Sequence, residues 1–124
     1  MILVDTSVWV DHLRRSDAVL SAALNANIVA IHPFVIGELA CGLLKARGQV
    51  LGLLRSLARL AAATDEEVLD FLERYRLMGR GLGYIDVHLL AATALHGETR
   101  LWTRDKRLKH VAVKMALAHL EPAR

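Results

Sequence analysis

A run of three apolar residues, Ile2, Leu3 and Val4, stops abruptly at Asp5. Two of the three are β-branched and no polar residue alternates with them, so the run reads as a short strand buried on both faces. Asp5 then stands at the carboxyl end of that strand. Ligands of open α/β sheets bind just outside the carboxyl ends of the strands, which makes Asp5 a candidate site residue. Turn or helix-cap chemistry is the competing explanation of the same residue.

The pattern repeats along the chain. Ser7 to Arg14 reads as a short helix with Val8, Trp9 and Leu13 inward, and Asp17 to Ala26 as a second with Leu20 and Leu24 on one face. Ile28 to Ile31 is a second strand. A helix follows from Pro33, with Gly48 as its stop, and a leucine-rich helix continues through "QVLGLLRSLARL". Thr64 and Glu67 have the spacing of a capping box that opens a helix with Val68, Phe71, Leu72 and Tyr75 as its stripe. "GRGLG" breaks it and reads as a flexible loop. The next helix, "YIDVHLLAATALHG", ends at Gly97, and "RLWT" is a strand running into "RDKRLKH". Short strands alternating with helices predict an α/β fold, a parallel sheet covered on both faces.

The 124 residues suffice for one compact domain, taken as 1–124. The net charge is +3, and 16 residues are Lys or Arg, mostly arginine, the side chain best suited to forked contacts with phosphate. That tilts the expected partner toward nucleic acid. The lone Cys41 reads as a small core residue in a reducing, cytoplasmic setting, and the short apolar run before Asp5 leaves no room for a signal peptide. Ala18 to Gly37 lacks charge over a membrane-like length, but Asn25, Asn27, His32 and Pro33 interrupt it, so no membrane span is expected.

Three further acids fall at suggestive places. Glu38 interrupts an apolar helical stretch, where a carboxylate is costly unless paired or bound to a cation. Asp86 lies in the first turn of its helix, where the helix dipole favours the ionised form. Asp105 follows its strand as Asp5 follows "ILV", so two parallel strands would deliver aspartates to one edge. Hard divalent cations take oxygen ligands and leave positions open for a phosphate substrate, the arrangement that metal-assisted hydrolysis needs. Arg104, Lys106, Arg107 and Lys109 place a basic cluster beside Asp105, able to hold a polyanion such as RNA. The chain contains no Gly-x-Ser-x-Gly elbow, His-Glu-x-x-His motif, Walker loop or cysteine pair.

The stretches "LVDTSVW", "GELACG", "IDVHLLAATA" and "LWTRDKRL" together resemble the PIN-domain nucleases, and specifically the VapC-type toxins of prokaryotic toxin–antitoxin pairs. The resemblance implies a three-layer α/β/α sandwich around a mostly parallel sheet and an endoribonuclease dependent on Mg²⁺ or Mn²⁺. It carries over Asp5, Glu38, Asp86 and Asp105 as the catalytic acids without settling which touch the metal; Asp5 and Asp86, then Asp105, are the favoured ligands, with Glu38 acting through water. Thr6, Ser7 and Thr103 become supporting hydroxyls. It further implies a VapB-type antitoxin, a homodimer, and products with 5′-phosphate and 3′-hydroxyl ends. The leucine-rich segment from Val35 to Ala63 is the expected antitoxin surface. A housekeeping nuclease of the same family and a non-catalytic nucleic-acid-binding module are the alternatives. A receiver-like phosphoacceptor domain fits less well, because "DTS" supplies one acid where adjacent acids are needed.

Overall fold

The computed structural model describes residues 1–122. Its strands are β1 (Ile2–Val4), β2 (Val29–Ile31), β3 (Ala58–Arg59) and β4 (Arg100–Trp102), and its helices are α1 (Thr6–Arg14), α2 (Ala18–Asn25), α3 (Pro33–Ala40), α4 (Arg47–Ser56), α5 (Asp65–Arg74), α6 (Tyr84–Leu95) and α7 (Lys106–Lys114). The described strands form one sheet in the order β3-β2-β1-β4, with every pairing parallel. In β2 all residues are buried although successive side chains point to opposite faces, so helices cover both sides of the sheet. This is the expected α/β/α sandwich.

From β1 the chain winds to β2 and β3 on one side and then crosses to β4 on the other. The order therefore reverses between β1 and β4, and the crevice outside their carboxyl ends is the topological switch point where such sheets bind ligands. Leu3, Val4, Leu101 and Trp102 are fully buried around that point. Each aliphatic side chain so buried contributes about 1.5–3 kcal/mol, and this packing makes the crevice a rigid mount.

Several element boundaries differ from the sequence expectation. Helix α3 ends at Ala40, because the Arg47 guanidinium donates to the carbonyl oxygens of Ala40 (2.7 Å) and Gly42 (3.2 Å), giving partners to groups that a helix end leaves open. A new helix starts at Arg47, so Gly48 lies in its first turn and stops nothing. The early end also puts Cys41 at a cap position facing solvent, which corrects its expected place in the core. The leucine-rich helix stops at Ser56, since Ala58–Arg59 pairs with β2 as an edge strand. Leu13 and Tyr75, expected inward, are exposed, the latter because it lies past the end of α5. The Thr64–Glu67 capping box is formed reciprocally, as expected.

Candidate active site

Asp5 occupies the N-cap position of α1, yet its side chain makes no capping bond. The carboxylate is buried and turned toward β4, where its Oδ2 accepts hydrogen bonds from Ser7 Oγ (2.8 Å) and Thr103 Oγ1 (2.7 Å). Each hydroxyl spends its single proton on Asp5, so the 3.4 Å approach between Ser7 and Thr103 is a packing contact. Their lone pairs are used as well. Ser7 Oγ accepts from the Arg104 backbone N–H (3.0 Å) and Thr103 Oγ1 from that of Asp105 (3.1 Å). Two hydroxyls thus tie the first acid to the loop that carries the last.

Asp105 has a double position. Its Oδ1 accepts from the backbone N–H groups of Arg107 and Leu108, both at 3.0 Å, so the expected turn and cap chemistry is real. Both bonds fall on one oxygen of an exposed carboxylate. Asp86 sits in the first turn of α6, where its Oδ2 accepts from the Gly83 N–H at 2.9 Å. Gly83 has no side chain to reciprocate, so only half of a capping box exists there. Glu38 is exposed, which removes the burial cost expected from its apolar neighbours. Thr6 Oγ1 donates to its Oε1 at 2.8 Å.

Asp86 reports on the whole arrangement. Partial burial raises its carboxyl above the usual range, the Gly83 N–H opposes that, and the negative charges of Asp5, Asp105 and Glu38 raise it further. Desolvation and like charge thus act against the helix N-terminus expected to favour the ionised form. Asp86 therefore lies within the fields of Asp5, Asp105 and Glu38. Among the described residues, no group of three or more His, Cys, Asp or Glu side chains is placed to hold a metal ion by itself. The donor set still suits a hard cation: it consists of oxygens, carries excess negative charge, and lies where a partly hydrated ion needs only one or two carboxylates.

The basic residues divide. Arg104, expected to face RNA, is instead committed internally, its guanidinium donating to Asp11 (2.8 Å), Asp17 (2.6 Å) and Glu121 (2.6 Å). These contacts hold its charge above even the ordinary arginine range, and the Arg104 bond in turn holds Asp17 below the usual carboxylate range. Sequence reasoning missed this cluster because its members are far apart in the chain. Lys106, Arg107 and Lys109 are exposed on α7, as expected.

Two hollows involve residues next to the acids in the chain. An apolar groove of about 600 Å³ includes Thr6, Val10, Leu13, Glu38, Leu43 and Val50 in its lining, with Leu43 fully exposed. On the Asp105 side lies a smaller basic hollow lined by Arg80, Lys106, Arg107, His110 and Val111. No helix of the described residues is long and apolar enough to cross a membrane.

Comparison with known proteins agrees with the fold. Residues 2–114 match the family model of the PIN domain. The chain is 50% identical over 121 residues to Ribonuclease VapC32 of Mycobacterium tuberculosis, in strains CDC 1551 / Oshkosh and ATCC 25618 / H37Rv, covering 98% of each chain. The crystal structure of PAE2754 from Pyrobaculum aerophilum superposes with a TM-score of 0.62 at 19% identity, over 93% of this chain and 94% of that one, and so supports the fold.

Proposed function

Because the chain belongs to the PIN domain family, we propose that it is an endoribonuclease toxin of the VapC type, hydrolysing RNA phosphodiester bonds with a divalent ion held by the acids at the β1–β4 switch point. Similarity to a named ribonuclease over nearly the full length supports the activity class. The observation that carries the site is the elevation of Asp86, by its own burial first and then by the charges of Asp5, Asp105 and Glu38, since acids whose fields meet at one carboxylate favour a bound cation.

Asp5, Asp86 and Asp105 would hold Mg²⁺ or Mn²⁺, with Glu38 reaching it through water. When bound, the ion supplies activation of a water nucleophile and neutralises charge on the phosphoryl oxygens. The protein's part is to orient the acids. Ser7 and Thr103 fix the Asp5 carboxylate, the α7 cap fixes Asp105, the Gly83 N–H fixes Asp86, and Thr6 steadies Glu38.

The antitoxin of such a pair, a VapB-type protein, would cover the apolar groove beside Thr6 and Glu38, where Leu43 projects into solvent. A homodimer working in the cytoplasm completes this reading.

The direct test is cleavage of mixed RNA by purified protein in Mg²⁺ or Mn²⁺. Asp5→Asn is expected to abolish it while the fold survives. Undiminished cleavage in excess chelator overturns the metal-dependent reading.

A further inference from the structure

We propose that the basic hollow beside Asp105 is a subsite for a backbone phosphate of the RNA strand, placed next to the bond to be cut; the proposal rests on the nuclease reading above. The hollow measures about 250 Å³, and its lining combines Arg80 from the loop before α6 with Lys106, Arg107 and His110 from α7, against buried Val111. Among the described residues, Arg104 makes ion pairs to carboxylates and His88 Nε2 stands 3.6 Å from Asp65, and none of the four basic residues of the hollow takes part in such a contact. Positive charge gathered without an internal counter-charge favours an anion from outside. Two guanidinium forks are suited to phosphate oxygens.

The hollow is built rather than incidental. The Arg107 side chain lies directly on Gly81, whose backbone has a φ of +76°, and a Cβ added there would stand 2.6 Å from Arg107 Cδ. The conformation favours glycine at that point, and the missing side chain lets Arg107 lie against the backbone. The "GRGLG" stretch, read from sequence as a flexible loop, therefore seats an arginine. The helix N-terminus is not the basis of the site, because the N–H groups of Arg107 and Leu108 are already taken by Asp105.

Position supplies the link to the acids. Lys106 and Arg107 directly follow Asp105, and Arg80 lies three residues before Gly83, whose N–H holds Asp86. The hollow is thus lined by residues that neighbour both acids along the chain. The apolar groove lies on the Thr6–Glu38 side and shares no lining residue with the hollow, so nucleic acid and a protein partner have separate seats.

The test is fluorescence anisotropy of a short labelled RNA in excess chelator, where binding is read without cleavage, titrated over a range of NaCl. Arg80→Ala and Arg107→Ala are each expected to weaken binding about tenfold and to reduce the salt slope by about 0.7. Arg100→Ala, at the opposite end of β4, removes the same charge and is expected to change affinity by less than about twofold. Gly81→Ala keeps the charge but displaces Arg107, and with a melt showing the protein folded it is expected to weaken binding as well. If Arg80→Ala and Arg107→Ala bind like Arg100→Ala, the subsite is wrong, whatever the parent does to RNA. Failure of the parent to cleave RNA in Mg²⁺ overturns the nuclease reading and leaves the anisotropy result to judge the subsite by itself.

Discussion

Thr103 donates a 2.7 Å hydrogen bond to the Asp5 carboxylate from 98 residues away in the chain. This bond closes the crevice between β1 and β4 with a charge-assisted contact at a buried site. Thr103→Val keeps the shape and removes the donor, leaving the carboxylate with Ser7 as its side-chain donor. The expected loss is about 1–3 kcal/mol of stability, read as a lower urea midpoint, together with slower RNA cleavage. Thr103→Ser should recover most of both.

Asp105 serves as helix cap and as acid, and two substitutions separate the roles. Asparagine still accepts the Arg107 and Leu108 N–H groups, so Asp105→Asn should melt near the parent temperature in chelator while losing cleavage. Asp105→Ala loses the cap too and should be about 1 kcal/mol less stable than the asparagine variant. Equal melting of the two variants would show that the cap contributes nothing.

Asp86 lies in the field of three other carboxylates, so Mg²⁺ should raise the melting temperature of the parent by binding the folded state. Asp86→Asn keeps an acceptor for Gly83 and relieves repulsion. Its melting temperature in chelator should therefore be at least that of the parent, with a smaller Mg²⁺ response. A variant that responds to Mg²⁺ like the parent would remove Asp86 from the ion's ligands.

His32 caps α3 by accepting the Phe34 N–H at its Nδ1, and it is fully buried. Burial, followed by the nearby His88, Arg59 and His96, lowers its pKa to about 4. The unfolded chain, titrating near 6.5, binds the proton first, so stability is full above that value and falls as pH drops toward 4. A few kcal/mol should be lost across this window, since each tenfold change in proton affinity is worth roughly 1.4 kcal/mol. His32→Asn retains a capping acceptor and should flatten the stability profile between these limits, measured by denaturant melts at stepped pH.

Arg104 bonds to Asp11 in α1, to Asp17 at the cap of α2, and to Glu121 near the C-terminal end. Arg104→Lys preserves charge but loses the fork, and should cost about 1–2 kcal/mol. Since Arg104 holds Asp17 below its ordinary range, the stability this pair contributes is present above that range and is lost as pH falls through the lowered value. The lysine variant should show a shallower acid loss in the same denaturant melts.

Local physics made much of this protein legible in its sequence. The unalternating "ILV" required cover on both faces, the Thr64–Glu67 spacing wrote its own capping box, and Asp5, Asp86 and Asp105 stood at strand ends or helix starts, where a parallel sheet gathers ligands. Such features depend on neighbours a few residues apart. What the sequence left open depended on partners distant in the chain. The Arg47 contacts that end α3, and with them the exposure of Cys41, required a turn not yet folded. Whether Arg104 faced RNA or three carboxylates was decided by bringing α1, α2 and the C-terminal segment together. The direction in which the Asp86 carboxyl moves was decided in the same way, because desolvation and the fields of Asp5, Asp105 and Glu38 exist only once the sheet has set β1 beside β4.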